Sequence, residues 1–492
     1  MARPRSHDEQ LFAALPKARR KALGQFATPD DIALLMAAWV GDESGAIYDP
    51  AVGTGALLRA AAVLAGGRTR SYLVGGELDE AAAEIARNEL FPLSQTGFEV
   101  RVGDWFAAPL EEWGAITCNP PYLNAKNIAN RDELREIVER DAGIRFGGSP
   151  TLALLFSARL LAYLAPGGRL ALLVPSELLD QSTAAAWKLA LIERGYLAGI
   201  LVFDEAESVF EGAETTATVL LIERPRETGV GPDLIGFLHV HGSDIETAVA
   251  AISEDSFSDA LTPDELAAHA AGRWTAIFRG EHNDVVGPTD ARLGDIATII
   301  SPRVTGWDRF FIRSAAAWKA AGIPKKFLTP VLAWKRLIPE SRLLDAAWLA
   351  AADAVGEPIW LLTAPAEHDS LPLAQLIDAA EHSDDFPKAM GGKRAWWVVK
   401  ANTAAPVLVT SYWQSGGHFA VVRNKAGVRG FSTVFEVRPH NLADADRFVA
   451  SKAISDAFLR SRRRLGAGLS KIEVRDARVA VVRGWKAGSE PA

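Results

Sequence analysis

The sequence predicts an α/β protein: a doubly wound, mostly parallel sheet in the first half, followed by a C-terminal domain of mixed α+β type. Three observations predict it. Short apolar strands alternate with helical stretches of roughly ten to fifteen residues. A glycine-rich turn joins the first strand to its helix, and beyond Pro232 the alternation gives way to shorter, mixed signals. Taken in order, residues 1–24 are polar and basic and read as an N-terminal arm ending at Gly24. Asp30 starts a helix carrying Ile32, Leu34, Leu35, Met36 and Trp39. Ala46-Ile47-Tyr48 is a strand that leads into Asp49-Pro50-Ala51-Val52-Gly53-Thr54-Gly55, and a helix follows to about Leu64. Strands over 72–75 and 98–102 flank a helix over 80–89, and a fourth strand ends Ala115-Ile116-Thr117-Cys118. A helix over 152–165 precedes Gly167-Gly168 and the strand 169–175, whose unbroken apolar run predicts burial on both faces. Strands over 197–203 and 217–222 complete the unit, and 223–232 is a linker by composition. The expected organisation is an arm over 1–24, a sheet domain over 25–240, a linker or extension over 241–290, and a second domain over 291–492.

At 492 residues the chain is too long for one ordinary core. Its 49% hydrophobic and 23% charged residues describe a globular protein with large cores. The single cysteine, Cys118, excludes a disulfide within the chain and a multi-cysteine zinc site. Nine histidines show no paired-ligand spacing, so no metal is expected. No apolar run reaches membrane-spanning length and residues 1–8 lack the apolar core of a signal peptide, which predicts a cytoplasmic chain without a membrane partner. The net charge of −8 hides an asymmetry: residues 286–492 hold 29 Lys and Arg against 20 Asp and Glu, and the rest holds 24 against 41. An acidic half joined to a basic half fits a chain that turns one part to a polyanion, although solvated surface charge can split the same way.

The chemistry concentrates at Asn119-Pro120-Pro121-Tyr122, directly after the fourth strand. A carboxamide oxygen and the Pro120 carbonyl can accept the two protons of a planar exocyclic NH2 while Tyr122 stacks on its ring. An aromatic amine is a poor nucleophile because its lone pair is delocalised. Two fixed acceptors that draw the nitrogen toward tetrahedral geometry localise that pair, which is preorganised electrostatic catalysis. Upstream, the turn from Asp49 to Gly55 can expose helix N-terminal amides to a ligand, or be merely a turn. It lacks the third glycine of the dinucleotide fingerprint, so hydride transfer is disfavoured. Glu77 ends the second strand, where a carboxylate can accept both ribose hydroxyls of a nucleoside cofactor. Asp104 follows the third strand, placed to accept an adenine amino group while Trp105 packs on the ring face. Four successive strand ends thus finish in ligand-capable residues.

With Gly24-Gln25-Phe26-Ala27-Thr28-Pro29 in front of them, these motifs resemble the gamma group of DNA N6-adenine methyltransferases from bacterial restriction-modification systems. The resemblance is strong over 24–222 and weaker beyond, where 293–306, 325–332 and 466–472 are similar to the borders of that family's target-recognition domain. It implies a class I, Rossmann-like methyltransferase fold that binds S-adenosyl-L-methionine without a metal. Thr28 and Pro29 would lie near the methionine end, Asp49 and Ala51 to Gly55 would wrap the centre, Glu77 would take the ribose, and Asp104 with Trp105 the adenine. Asn119, Pro120 and Tyr122 would hold an adenine extruded from double-stranded DNA. Phe210 would pack opposite Tyr122, unless it is an ordinary core phenylalanine. The basic C-terminal domain would contact DNA, with Lys325, Lys326, Lys335, Arg336, Arg342, Arg394 and Arg462-Arg463-Arg464 as candidates. Trp396, Trp397 and Trp413 read as core. A separate restriction endonuclease is a partner the resemblance allows. Two competing readings remain on sequence: a methyltransferase of protein glutamine or rRNA, and a non-catalytic DNA-binding subunit on the same fold.

Overall fold

The computed structural model describes residues 6–41, 45–64, 72–93, 97–203, 216–227, 231–240, 245–278, 289–388, 390–391, 395–399, 401–414, 419–465 and 469–485. The chain divides into two compact units: Met1–His282 with Leu465–Ala467, and Asn283–Arg464 with Gly468–Ala492.

The first unit opens with two short helices, α1 (His7–Ala13) and α2 (Lys17–Leu23), then α3 (Asp30–Val40). Next come β1 (Ile47–Asp49), α4 (Ala56–Leu64), β2 (Leu73–Glu77), α5 (Glu80–Leu90), β3 (Phe98–Val102) and β4 (Trp113–Cys118). They are followed by α6 (Arg131–Ala142), α7 (Leu152–Leu160), β5 (Leu164–Pro175), α8 (Ser176–Leu179), α9 (Ala185–Glu193), β6 (Leu197–Phe203) and β7 (Ala217–Glu223). Last come β8 (Ile235–Val240), α10 (Ile245–Ser253), β9 (Asp259–Leu261), α11 (Pro263–Ala268) and α12 (Trp274–Phe278). The strands form one nine-stranded sheet in the order β3-β2-β1-β4-β5-β7-β6-β8-β9. β1 pairs parallel with β2 and β4, β2 with β3, β4 with β5 and β6 with β8, while β7 runs antiparallel between β5 and β6 and β9 antiparallel to β8.

Period-two alternation explains why both faces are dry. Leu170, Leu172 and Val174 enter one core with Ile116, Ile200 and Leu220, while Ala171 and Leu173 enter the other with Ile47, Leu201 and Val219. Each such aliphatic side chain removed from water contributes about 1.5–3 kcal/mol. The parallel order from β3 to β5 also aligns the C-terminal ends of β1, β2, β3 and β4, where Asp49, Glu77, Asp104 and Asn119 stand.

Three boundaries differ from the sequence reading. The stretch expected as an arm is folded onto the unit, because Phe12 and Leu15 are buried against Ala82. The stretch expected as a linker or extension supplies β9 to the sheet and packs Trp274 into its core, so the first unit runs to His282. The helix expected over 152–165 stops at Leu160, and β5 begins at Leu164, taking in Gly167 at φ +76.

The second unit is mixed α+β. A five-stranded sheet places Val434–Pro439 between Ala297–Ile300 and Val407–Thr410, and a four-stranded sheet places Trp360–Leu362 between Ile312–Arg313 and Leu328–Leu332. Helices such as Leu371–Glu381 and Lys452–Arg460 cover them. Trp413 is buried in one core, and Trp396 and Trp397 pack against another.

Candidate active site

A cavity of about 270 Å³ opens at the C-terminal ends of β1 to β4. Of the sequence candidates, Thr28, Asp49, Ala51, Gly53, Glu77, Asp104, Trp105, Asn119 and Pro120 line it. Pro29 instead starts α3, with its carbonyl accepting from the Ala33 amide at 2.9 Å. Gly55 (φ +95) faces α5, where an added Cβ would lie 3.5 Å from Ala86 Cα. Phe210 lies outside the described residues.

Asn119 is held by the segment before α3. Its Nδ2 donates to the Thr28 hydroxyl at 3.0 Å and to the Phe26 carbonyl at 3.3 Å. Its Oδ1 is buried and has no hydrogen-bond partner among the described residues. An unmade bond at a buried acceptor costs about 1–3 kcal/mol, which makes this oxygen a receptor for a donor.

Tyr122, expected to present its ring face to a base, packs instead with Phe26, the ring centroids 5.2 Å apart and tilted by 37°. Its amide donates to the Gly24 carbonyl at 2.7 Å, which lays the Gly24–Phe26 segment alongside. Gly24 adopts φ +68, and a Cβ there would lie 2.7 Å from the Tyr122 carbonyl carbon, so only glycine allows this approach.

Four acids lie on the cavity wall. Asp49 is 1% exposed and accepts from the Ala51 amide at 3.0 Å; burial pushes its pKa up to about 8. Glu77 accepts from the amides of Gly53 and Asp79 at 2.9 and 2.8 Å and from Gln25 Nε2 at 3.2 Å. Burial raises its pKa and those backbone bonds oppose the rise. Asp104 is exposed and caps the turn at Trp105–Ala107 through the Phe106 amide. The fourth acid, Asp8 of α1, was not anticipated. It accepts from the Thr28 amide at 2.9 Å and from the Thr54 hydroxyl, and burial pushes its pKa to about 6. No Lys, Arg or His is among the lining residues. Such a wall favours a cationic ligand.

Trp105 is buried and stacks on Phe156 at 4.1 Å, with the Arg159 guanidinium 4.8 Å from its ring centre. Phe156 and Arg159 thus already pack against the ring that was expected to meet the cofactor adenine. Asp8, Phe12, Gln25 and Phe156 are wall residues that the sequence reading missed. The spacing Ser6-His7-Asp8-Glu9 was the available signal, since it forms a capping box that starts α1.

In the second unit, several basic candidates are engaged internally. Arg336 pairs with Glu357 at 2.7 Å, Arg463 with both oxygens of Asp476 at 2.7 and 3.3 Å, and Arg462 donates to the Leu459 carbonyl. Lys325 lies 5.5 Å from the Trp360 ring centre and Lys326 5.1 Å from that of Phe327. Arg394 and the side chain of Arg464 lie outside the described residues. Among the described residues no group of three or more His, Cys, Asp or Glu side chains is arranged for a metal ion, and no helix is long and apolar enough to cross a membrane.

The fold is that of a class I methyltransferase. Residues 7–244 match the N-6 DNA Methylase family. The first unit belongs to that family, and the chain is an adenine-specific DNA methyltransferase. It is 23% identical over 483 residues to the type II methyltransferase M.AccI of Acinetobacter calcoaceticus, covering 93% of this chain and 84% of that one. It is 26% identical over 407 residues to the type II methyltransferase M.XamI of Xanthomonas campestris pv. amaranthicola, covering 80% and 72%. A release factor glutamine methyltransferase of Cereibacter sphaeroides is 29% identical, over 35% of this chain and 60% of its own length. Among solved structures, the type IIG restriction endonuclease BpuSI aligns with a TM-score of 0.47 and 17% identity, over 93% of this chain and 59% of its own.

The family implies S-adenosylmethionine, and the wall residues fit it. Its sulfonium and ammonium are the cations that the buried Asp49 and Glu77 lack. Gly53 leaves room beside Phe12, where a Cβ would come within 3.3 Å of the ring.

Proposed function

We propose that the chain methylates N6 of an adenine swung out of double-stranded DNA at a specific sequence, using S-adenosylmethionine. In this reading it is the modification enzyme of a restriction-modification system, with a separate endonuclease as its counterpart in the bacterial cytoplasm. The buried, unpartnered Oδ1 of Asn119 carries the reading, because it is an acceptor waiting for a donor at the end of β4.

When bound, S-adenosylmethionine supplies a methyl group on a positively charged sulfur. Asn119 Oδ1 and the Pro120 carbonyl accept the two N6 protons of the base and localise the nitrogen lone pair. Glu77 takes the ribose, Asp104 and Trp105 meet the cofactor adenine, and Asp49 and the turn through Gly53 hold the centre. Thr28 lines the methionine end and its hydroxyl accepts from Asn119 Nδ2. Proximity does the rest: fixed reactants need no strong base, because the nitrogen becomes acidic as it is methylated and yields its proton to water. Swinging the base out costs a few kcal/mol. Aromatic contact with Phe26, which lines the cavity, at roughly 1–3 kcal/mol per stacked base, is the right size to offset it. The basic second unit supplies phosphate contacts.

Incubation of the purified chain with methyl-labelled S-adenosylmethionine tests the reading. Label should enter duplex DNA as N6-methyladenine. Label entering release-factor protein and not DNA would favour the glutamine reading, which rests on a likeness covering 35% of this chain against 93% for M.AccI.

A further inference from the structure

A carboxamide turned by half a rotation keeps its shape but exchanges its oxygen and nitrogen, so its neighbours alone decide which atom faces a substrate. Asn119 must offer oxygen, because a flipped side chain would set an N–H against the protons of N6. Among the described residues, two groups accept from its Nδ2. The Thr28 hydroxyl can donate or accept and so tolerates either orientation. The Phe26 carbonyl can only accept, and it is the contact that rejects the flipped form.

The position of that carbonyl therefore matters. Upstream, the segment is tied by the Tyr122 amide to the Gly24 carbonyl at 2.7 Å. Downstream, the Thr28 amide donates to Asp8 Oδ2 at 2.9 Å, in a buried bond. Asp8 is 1% exposed, and its other oxygen accepts from Thr54 in the glycine-rich turn. Its helix is pinned in turn: the His7 amide donates to Asp30 Oδ2 at 3.0 Å, and Phe12 is buried.

We propose that Asp8, acting through Thr28, is a positioning residue that keeps Asn119 oriented oxygen-first toward the substrate amine. The proposal rests on the methyltransferase reading above. Remove the Asp8 acceptor and the Thr28 amide is left buried without a partner, so the segment from Phe26 to Thr28 relaxes and the carboxamide loses its discriminating contact. Geometry, not charge, is what the arrangement needs.

Single-turnover methyl transfer to unmethylated plasmid DNA at saturating cofactor, with cofactor affinity measured by calorimetry on the same preparations, tests it. Asp8→Ala should slow transfer roughly 10- to 100-fold, with a much smaller change in affinity. Asp8→Asn should stay within about threefold of the parent, since its Oδ1 accepts from Thr28 while its Nδ2 donates to the Thr54 hydroxyl. Asp8→Glu keeps the charge but displaces it by a methylene, and should be as slow as the alanine variant. If Asp8→Ala does not fold, the asparagine and glutamate variants decide the matter. A rate within about twofold of the parent for Asp8→Ala or Asp8→Glu, or an Asp8→Asn chain as slow as Asp8→Ala, would overturn the proposal. A parent chain that binds S-adenosylmethionine yet methylates no DNA would overturn the functional reading and this proposal with it. Failure of the proposal alone shows as an active parent with equally active variants.

Discussion

Arg159 donates to the backbone carbonyl of Trp105 at 2.5 Å while its guanidinium lies 4.8 Å from the centre of that residue's indole. The same side chain reaches the Ala108 carbonyl and Asp141 Oδ2, at 2.9 and 2.8 Å, and is 1% exposed. One buried cation thus fixes the loop after β3 that carries Asp104. Burial pushes the Asp141 carboxyl up, but hydrogen bonds from Arg140 and Arg159 outweigh it and hold the pKa below the usual range.

Arg159→Leu should therefore lower the unfolding free energy by about 2–5 kcal/mol, because it removes three hydrogen bonds of a buried side chain and leaves Asp141 paired with Arg140 alone. Denaturant titration measures this. Calorimetry on the folded variant should also show weaker S-adenosylmethionine binding, and unchanged affinity would detach the loop from the cofactor.

Asn119→Ala should reduce methyl transfer by at least about 10²- to 10³-fold, the effect of removing a preorganised polar contact at a reacting centre. Cofactor affinity should stay close to that of the parent, since Glu77 and the turn through Gly53 are untouched. Substantial remaining turnover would remove Asn119 from the mechanism.

Burial pushes the pKa of Asp49 up to about 8 in the folded chain, against 3.8 ordinarily. Acids raised by folding stabilise the folded state fully below their unfolded pKa, and that contribution is lost as pH rises through the folded values. A cationic ligand offsets the loss. The rise in melting temperature caused by S-adenosylmethionine should thus be larger at about pH 8.5 than at about pH 6.5. An equal rise at both values would mean that the Asp49 carboxylate does not sense the ligand.

Gly24→Ala forces a side chain into a left-handed backbone and against the Tyr122 carbonyl. The strain alone is about 1–2 kcal/mol, and the clash adds to it. Thermal unfolding should register the cost, and methyl transfer should fall with it because the Gly24–Phe26 segment moves away from Asn119.

DNA affinity should fall roughly 10³-fold or more between about 50 and about 200 mM salt if six or more phosphates are neutralised. Arg463→Ala should change stability more than this slope, since Arg463 is already paired with Asp476. Filter-binding at several salt concentrations gives both quantities, and a flat response would end the case for a phosphate-contacting unit.

The sheet was legible because strand periodicity and a glycine-rich turn are local signals. So was the row of Asp49, Glu77, Asp104 and Asn119, each standing where a strand stops. What escaped detection depends on tertiary contact. Helix α1 is seven residues long and mostly polar, and only the burial of Phe12 and Asp8 against distant partners makes it part of the cavity. The Phe26–Tyr122 contact joins residues far apart in sequence, so reading the tetrapeptide alone left the tyrosine ring free. Arg336 and Arg463 counted as available charge until Glu357 and Asp476 were found beside them.

The strands and helices after Val240 bear on how this enzyme could be shortened. Lys188 sends its ammonium to the carbonyls of Leu179 and Gly272, and Trp274 is fully enclosed beside it. A fragment truncated at residue 240 would bare an apolar flank of α9, take one carbonyl partner from a buried ammonium and leave β8 as an open rim ready to pair with a neighbouring molecule. Autonomy of the methylating half begins only once Phe278 is included.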